Sequence, residues 1–411
     1  HLHWVADLKI EDRLLLLLEG GVAPVAAATH GHGLGAGQDL NSRSSRVIEG
    51  RLVNTSVTGP GAAIALGLMY LKSKNKSILK KLSPPQTAYT LTNIQPDLLL
   101  FRSLASCLVA WEGPSADGDC TFDVAPTDAW LSGCVPHAIR TVLFPATANA
   151  TRSRTGASSS SDSAEGGEGE SSSAAPVAGS VLTKSAAVPL YLALVGGSCL
   201  GLGLIYAGTG NAQARAVLLK QLLYLQKVRD NKDSSIACSK EVRPTVELSL
   251  VCTALGLSMA MAGTGDVAIL RVLRELRWKV DDSIYGTHMA LGMCIGFLFL
   301  HGGQASLRRD NVAIGCLLIS VLPRFPNRTV DNQYHLQALR HMYVLGIEWR
   351  SLRLVDADTN ESVNGADIEV VLRSGKSYVC KSPCLLQELC TIRCIRLLQH
   401  AHSPTGQGRH Q

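Results

Sequence analysis

Two kinds of helical pattern alternate along most of the chain. Gly197–Asn211 (GSCLGLGLIYAGTGN) shows the first. Leu200, Leu204 and Ala207 fall on one face at i, i+4 and i+7, while Gly197, Gly201 and Gly203 leave room for a neighbouring backbone. Gly208 and Gly210 then supply the positive-φ positions that end a helix, and Asn211 is placed to cap the next one. The helix that follows, AQARAVLLKQLLYLQKV, shows the second kind. It is apolar on one side (Ala216, Leu219, Leu222, Leu223, Leu225) and polar on the other.

The same alternation recurs. A turn at Val57–Gly61 leads into Ala62–Leu71, with Gly67 near its middle, and Lys72-Ser73-Lys74-Asn75 stands where Gly-Thr-Gly-Asn is expected. Pro96 opens a helix running to Trp111. Gly263-Thr264-Gly265-Asp266 stops another helix and hands over to amphipathic Val267–Val280, and His301-Gly302-Gly303 follows Thr287–Leu300. A last, degenerate copy is expected over Leu336–Leu345. Aligning the units on one small residue gives Gly67, Gly203, Ser258, Gly296 and Arg340. Helix–turn–helix units spaced roughly 40 residues apart define a helical-repeat array. The first helix of each unit is apolar almost all round, so each unit must stack on its neighbours.

The pattern divides the chain into five parts. Residues 1–47 hold an N-terminal helix, Trp4–Glu19, and a Gly/Ser-rich linker whose GHGLGAG lacks the β-strand a dinucleotide loop needs. The first repeat units occupy 48–112. A disordered Ser/Ala/Gly-rich insertion is expected over 113–184, because it has too few apolar residues to offset its ordering entropy. The remaining repeats span 185–346. From 347 to 411 the helical period stops, and Leu352–Asn360, Ala366–Leu372 and Ser377–Cys380 read as strands of a small, truncated β-containing domain. Beginning at His1 rather than Met, the sequence is expected to be a fragment of a longer protein.

Composition narrows the class. Of 411 residues, 46% are hydrophobic and only 5% aromatic, and there are 38 glycines, as suits closely packed helices with small contact residues. The net charge of +6 is scattered. Its densest groups, Arg271/Arg274/Arg277 and Arg350/Arg353, read as solvated helix faces with no aromatic-interleaved stripe, so no nucleic-acid partner is expected. Cys107, Cys199, Cys252, Cys294 and Cys316 lie inside apolar runs, as reduced core cysteines do. Ser185–Asn211, Leu248–Gly265 and Ile284–Gln304 approach membrane-spanning length. Their glycines and polar punctuation, and their recurrence as copies of one motif, argue against a membrane, and a polytopic membrane protein is kept as the alternative of another class.

Candidate chemistry is sparse. Cys380, Cys384, Cys390 and Cys394 form C-x3-C-x5-C-x3-C, a weak candidate for zinc because the spacing fits no standard knuckle. His288, His301, His335 and His341 have no nucleophile elbow or H-E-x-x-H beside them. Asp356 and Asp358 suit a turn better than acid–base work. No catalytic residue, cofactor or small-molecule substrate is therefore expected. The structural signature of the repeats is assigned to Gly61, Gly67, Gly203, Gly208, Gly210, Asn211, Gly263, Gly265, Asp266, Gly296, Gly302 and Gly303.

Val57–Tyr70, Pro96–Trp111, Met259–Gly265, His288–Gly303 and, above all, Asp331–Val344 (DNQYHLQALRHMYV) with Val355–Asn360 resemble the proteasome/cyclosome repeat. The wording is nearer the cyclosome (anaphase-promoting complex) branch than the proteasome regulatory-particle branch. That resemblance implies a mainly α fold whose repeats close into an α-toroid. It also implies a non-catalytic scaffold of a ubiquitin ligase, working at the metaphase/anaphase transition in nucleus and cytoplasm. The implied partners are the other cyclosome subunits: a cullin/RING catalytic pair, a Doc-domain subunit, tetratricopeptide subunits and a coactivator. A proteasome scaffold that docks ubiquitin receptors is the alternative within the family.

Overall fold

The computed structural model describes residues 8–20, 47–49, 52–111, 128–144, 182–230, 242–278, 285–322, 325–326 and 337–398. It is mainly helical, with small antiparallel sheets concentrated toward the C-terminus. Two compact units divide the chain: the described residues of His1–Trp111, Pro126–Ile205 and Ala216–Leu257, and those of Tyr206–Arg215 and Ser258–Gln411.

In the first unit, α1 (Leu8–Glu19) packs on α2 (Thr55–Met69), and α2 packs on α5 (Pro96–Ala110), with the short α3 (Lys76–Leu82) and α4 (Ala88–Asn93) between them in sequence. A two-stranded ribbon, β1 (Ile48–Glu49) with β2 (Leu52–Val53), precedes α2. The expected turn at Val57–Gly61 is instead helix. Asn54 caps α2 by accepting from the Ser56 N–H at 3.2 Å, so the helix starts earlier and carries Pro60 inside it. Helix α8 (Lys184–Ile205) then packs against α5 and against α10 (Arg243–Ala260).

Two seams on α8 show why its glycines are where they are. A Cβ on Gly197 would lie 2.2 Å from the Leu100 carbonyl oxygen, and one on Gly201 would lie 2.5 Å from Cβ of Cys107, both on α5. A Cβ on Gly196 or Gly203 would instead meet Ser249 or Gly256 on α10, at 2.8 and 2.1 Å. The spacings of four and seven residues put the two seams on different sides of one helix. Hydroxyls fill what glycine leaves: Ser103 and Ser198 bond at 2.7 Å, and Ser249 Oγ donates to the Leu192 carbonyl at 2.8 Å.

Among the described residues, Lys184–Ile205 is the one helix long and apolar enough to cross a membrane. From Leu192 to Ile205 every residue is buried inside the protein. The amphipathic α9 (Ala212–Asp230) buries Ala214, Val217, Leu218, Leu222 and Leu225, while Ala216 and Leu223 are exposed. Its apolar face is rotated from the one expected.

The insertion expected to be disordered over 113–184 contains ordered structure. Helices α6 (Asp128–Gly133) and α7 (His137–Leu143) lie inside it, and Val135 and Ile139 pack with Leu182, Ala187, Leu190 and Leu194. The isolated apolar positions Leu131, Val135 and Ile139, spaced by four, are enough to dock a short amphipathic pair onto α8. The Ser/Gly/Glu-rich core of that segment lies outside the described residues, as do GHGLGAG and His335.

The second unit contains α11 (Val267–Trp278), α12 (Tyr285–Leu298) and α13 (Asn311–Val321). The degenerate copy expected at Leu336–Leu345 is a 3-10 segment, Ala338–Gly346, packed on α13. Arg340, aligned with small residues elsewhere, is buried there, 3.6 Å over the Phe325 ring, and its Nη1 donates to the Ser320 carbonyl at 3.1 Å. A long cation cannot fill a glycine's place between two helices, and the segment has left the α-helical pattern accordingly.

The expected boundary at 346/347 is bridged. β3 (Ala305–Leu307), from the repeat side, pairs with β4 (Ile347–Trp349). Beyond it, β5 (Ser351–Leu352) pairs with β10 (Cys384–Leu385), and β6 (Leu354–Val355) with β7 (Ser362–Val363). β8 (Asp367–Leu372) is the centre of the three-stranded sheet β11-β8-β9, flanked by β9 (Ser377–Lys381) and β11 (Ile392–Leu397). The Arg373–Lys376 turn has Gly375 at φ 82°, which the left-handed region requires.

Candidate functional site

The recurring feature is a three-residue hook that follows α2, α8 and α10. In the first unit Lys72 (φ 62°) and Lys74 (φ 55°) donate their N–H groups to the Leu108 and Val109 carbonyls at 3.0 and 2.9 Å. In the second, Gly208 and Gly210 (φ 67° and 64°) donate to Met259 and Ala260 at 2.8 and 3.0 Å. Gly263 and Gly265 (φ 78° and 63°) donate to Phe297 and Leu298 at 3.0 and 2.9 Å. In every case the acceptors are consecutive residues in the last turn of the next first helix, whose carbonyls have no intrahelical donor. The middle residue closes the hook on itself. Ser73, Thr209 and Thr264 hydroxyls donate to the Tyr70, Tyr206 and Met261 carbonyls at 2.8, 2.8 and 2.7 Å.

Only a left-handed backbone turns two N–H groups toward the same neighbour here, which is why glycine is used twice. Lysine at 72 bears the conformational cost but sets its ammonium 4.4 Å over the Trp111 ring, a cation–π contact that offsets part of it. The residue after each hook then starts the second helix. Asn75 Oδ1 accepts from Ser77 and Ile78, Asn211 Oδ1 accepts from Ala214 at 2.9 Å, and Asp266 Oδ1 accepts from Ala268 and Ile269. Asp266 also receives the Arg215 guanidinium at 2.5 and 3.2 Å. That hydrogen-bonded arginine is the main cause holding the Asp266 carboxyl below its ordinary range.

The assigned signature residues do not all behave alike. A Cβ on Gly67 would lie 3.0 Å from Ala105, and Gly203 packs against Gly256. Gly208, Gly210, Gly263, Gly265, Asn211 and Asp266 form hooks and caps. Gly302 and Gly303 hold positive φ, as does His301 at 48°, in a short 3-10 turn. Gly61 and Gly296, by contrast, face open space, so neither is a contact position. The alignment on a sixth position misplaces the contact, which Gly256 makes instead of Ser258. Nothing local in LGLSMA marks Gly256 over its neighbours.

Arg350 was read with Arg353 as a solvated face, yet it is buried between strands. Its Nη1 donates to the Gly208 carbonyl at 2.8 Å, Nη2 to that of Leu307, and Nε to Glu348 at 2.8 Å. Ser306 Oγ donates to the Ala262 carbonyl at 2.9 Å and the Gly208 carbonyl at 3.2 Å. Arg309 forms a buried fork with Glu388: Nη2 at 2.7 Å, Nε at 3.1 Å, and the Arg309 N–H to the other carboxylate oxygen at 2.9 Å. Gly208, Arg309, Arg350 and Glu388 line a 640 Å³ cavity with Thr209, Asn211 and Thr264. Arg350 ties the Gly208 hook to the 385–388 segment, since its own carbonyl accepts from the Leu386 N–H at 2.9 Å, and each of these donors is spent on a protein carbonyl or carboxylate.

The four C-terminal cysteines do not converge. Cys380 and Cys384 sulfurs are 3.3 Å apart, Cys390 is exposed, and among the described residues no three His, Cys, Asp or Glu side chains are grouped to hold a metal ion. Register explains it, since Cys394 sits opposite Val371 on the far edge strand of the sheet from Cys380. His301 stacks edge-on to Trp349 at 4.6 Å, and His341 is exposed on the 3-10 segment. Asp356 forms an Asx turn, and N–H groups of Thr359 and Asp358 hold its carboxyl below the usual range. Cys199, Cys252 and Cys294 are buried thiols pushed up to about 12 by desolvation, the state of inert core cysteines.

The family model described as the APC1 fifth domain matches residues 1–348. Anaphase-promoting complex subunit 1 of Dictyostelium discoideum is 34% identical over 86% of this chain and 15% of its own length. The Homo sapiens protein of that name is 31% identical over 96% of this chain and 18% of its own. A protein of Emericella nidulans named negative regulator of mitosis is 30% identical over 90% of this chain and 16% of its own. The chain thus spans less than a fifth of the length of these relatives. With a family model that covers most of the chain, and relatives alike in sequence along nearly all of it, the chain belongs to the anaphase-promoting complex subunit 1 family.

Proposed function

We propose that the chain is a non-catalytic scaffold segment of the anaphase-promoting complex, a ubiquitin ligase acting in mitosis, and that its repeats close into an α-toroid. The relatives' names support membership in that complex. The observation that carries the scaffold reading is the hook. Three times, paired N–H groups of one repeat are spent on the next repeat's helix end, and buried Arg350 is spent on the Gly208 hook in turn. A chain whose polar groups are committed to its own stacking is suited to rigidity, and rigidity is what a platform for other subunits needs. On this reading the platform holds the cullin/RING pair, Doc-domain subunit, tetratricopeptide subunits and coactivator in fixed relation, in nucleus and cytoplasm.

Affinity purification of the full-length protein from cells, followed by mass spectrometry, tests it. Recovery of cullin, RING and tetratricopeptide subunits is expected. Recovery of proteasome regulatory-particle subunits in their place would transfer the chain to the other branch of the repeat family. Full-length protein carrying Gly203→Val should recover less of the complex than wild type, because the helix contact at Gly256 is blocked.

A further inference from the structure

We infer that the outward face of α11 is a docking surface for an acidic amphipathic helix of a partner protein. Val267, Arg271, Arg274 and Trp278 recur at i, i+4, i+7 and i+11, which places them in one stripe along the helix. All four are exposed, Val267 at 57% and Trp278 at 74%. The opposite face is the buried one, carrying Ile269, Leu273 and Leu276.

Arg271, Arg274 and Arg277 have no carboxylate within 4 Å among the described residues, a condition they share with exposed Arg353, Arg373 and Arg393 of the same unit. What sets α11 apart is that its arginines lie on one short helix with an exposed tryptophan. Three unpaired guanidiniums next to one exposed tryptophan combine the two side chains most enriched where proteins bind proteins. The order along the stripe is apolar, basic, basic, apolar, over roughly 16 Å. Its complement is a helix with two carboxylates three or four residues apart between two apolar residues, each carboxylate taking a guanidinium fork.

One feature selects an acidic amphipathic peptide over a polyphosphate: the apolar ends of the stripe, Val267 and Trp278, offer a phosphate backbone nothing to bind. The inference deepens the scaffold reading and rests on it for the partner being a protein. Binding measured with purified components succeeds or fails independently of what is recovered from cells.

The test uses the full chain and a labelled 20-residue synthetic helix bearing Leu, Glu, Glu and Leu at matching positions, followed by fluorescence anisotropy. Saturable binding that weakens with salt is expected. Arg271→Glu with Arg274→Glu should reduce affinity at least tenfold, and Trp278→Ala should reduce it severalfold. All three positions are exposed, so circular dichroism should be unchanged. A peptide of the same composition in scrambled order should bind at least tenfold more weakly. Equal binding by the scrambled peptide, equal binding by the charge-reversed protein, or tighter binding of a single-stranded RNA oligonucleotide would each overturn the inference.

Discussion

At the scale of the residue, glycine has two different uses, and substitution separates them. Gly203 lies where a Cβ would sit 2.1 Å from Cα of Gly256, so Gly203→Ala must push two helices apart and should cost about 3 kcal/mol. Gly296 lies in α12 with nothing within 4 Å of its Cβ position, so Gly296→Ala should stabilise by about 0.5–1 kcal/mol through helix propensity alone. Urea unfolding of both variants beside wild type gives the two signs. An equal effect of the two changes would remove the distinction between contact and non-contact glycines. In the amino-acid string the two positions look the same, since each is a small residue in an apolar run. What differs is the position of a second backbone, and that is fixed by packing.

At the scale of the element, the caps and hooks were the most legible part. Gly-Thr-Gly followed by Asn or Asp specifies its own backbone, because positive φ and a side-chain cap are local properties. Less legible were features set by distant partners. Arg350 shows no local sign that it will be buried on the Gly208 carbonyl, and α6 and α7 carry too few apolar residues to stand out from the segment around them. The Cys380–Cys394 spacing, already a weak zinc candidate, does not reveal the strand register that separates Cys394 from Cys380. The Asp266 cap allows a pH test. Its carboxyl is held below the ordinary range by Arg215, so the native state takes up its proton later than the unfolded chain. The stability it adds is in place above about pH 4, the unfolded aspartate range, and declines as pH falls below that. Asp266→Ala should cost about 1–2 kcal/mol at pH 7. Its melting temperature should approach that of wild type below pH 4, and a constant gap from pH 7 to pH 3 would contradict the assignment.

At the scale of the whole molecule, the link between the repeat side and the β-rich part of the second unit depends on a few buried ion pairs. Glu388 takes three bonds from Arg309, with both side chains about nine-tenths buried. Removing the carboxylate leaves a guanidinium without its counter-charge, so Glu388→Ala should cost about 3–5 kcal/mol. Hydrogen exchange should rise first in β5 and β10, the pair that holds the 384–391 segment. If global stability falls without faster exchange there, the fork does not hold that segment.

The hook bond runs one way. At each of the three hooks the N–H pair is given forward to the carbonyls of a later helix end, so a row of such units has a head and a tail like any directional polymer. Whole units can be added or lost between hooks without changing the bonding rule, whereas one residue inserted within a hook would misalign both donors with their acceptors. In this sequence, tolerance to length changes should therefore concentrate in the stretches between hairpins, with the four-residue stops as the places where a single added residue does most harm.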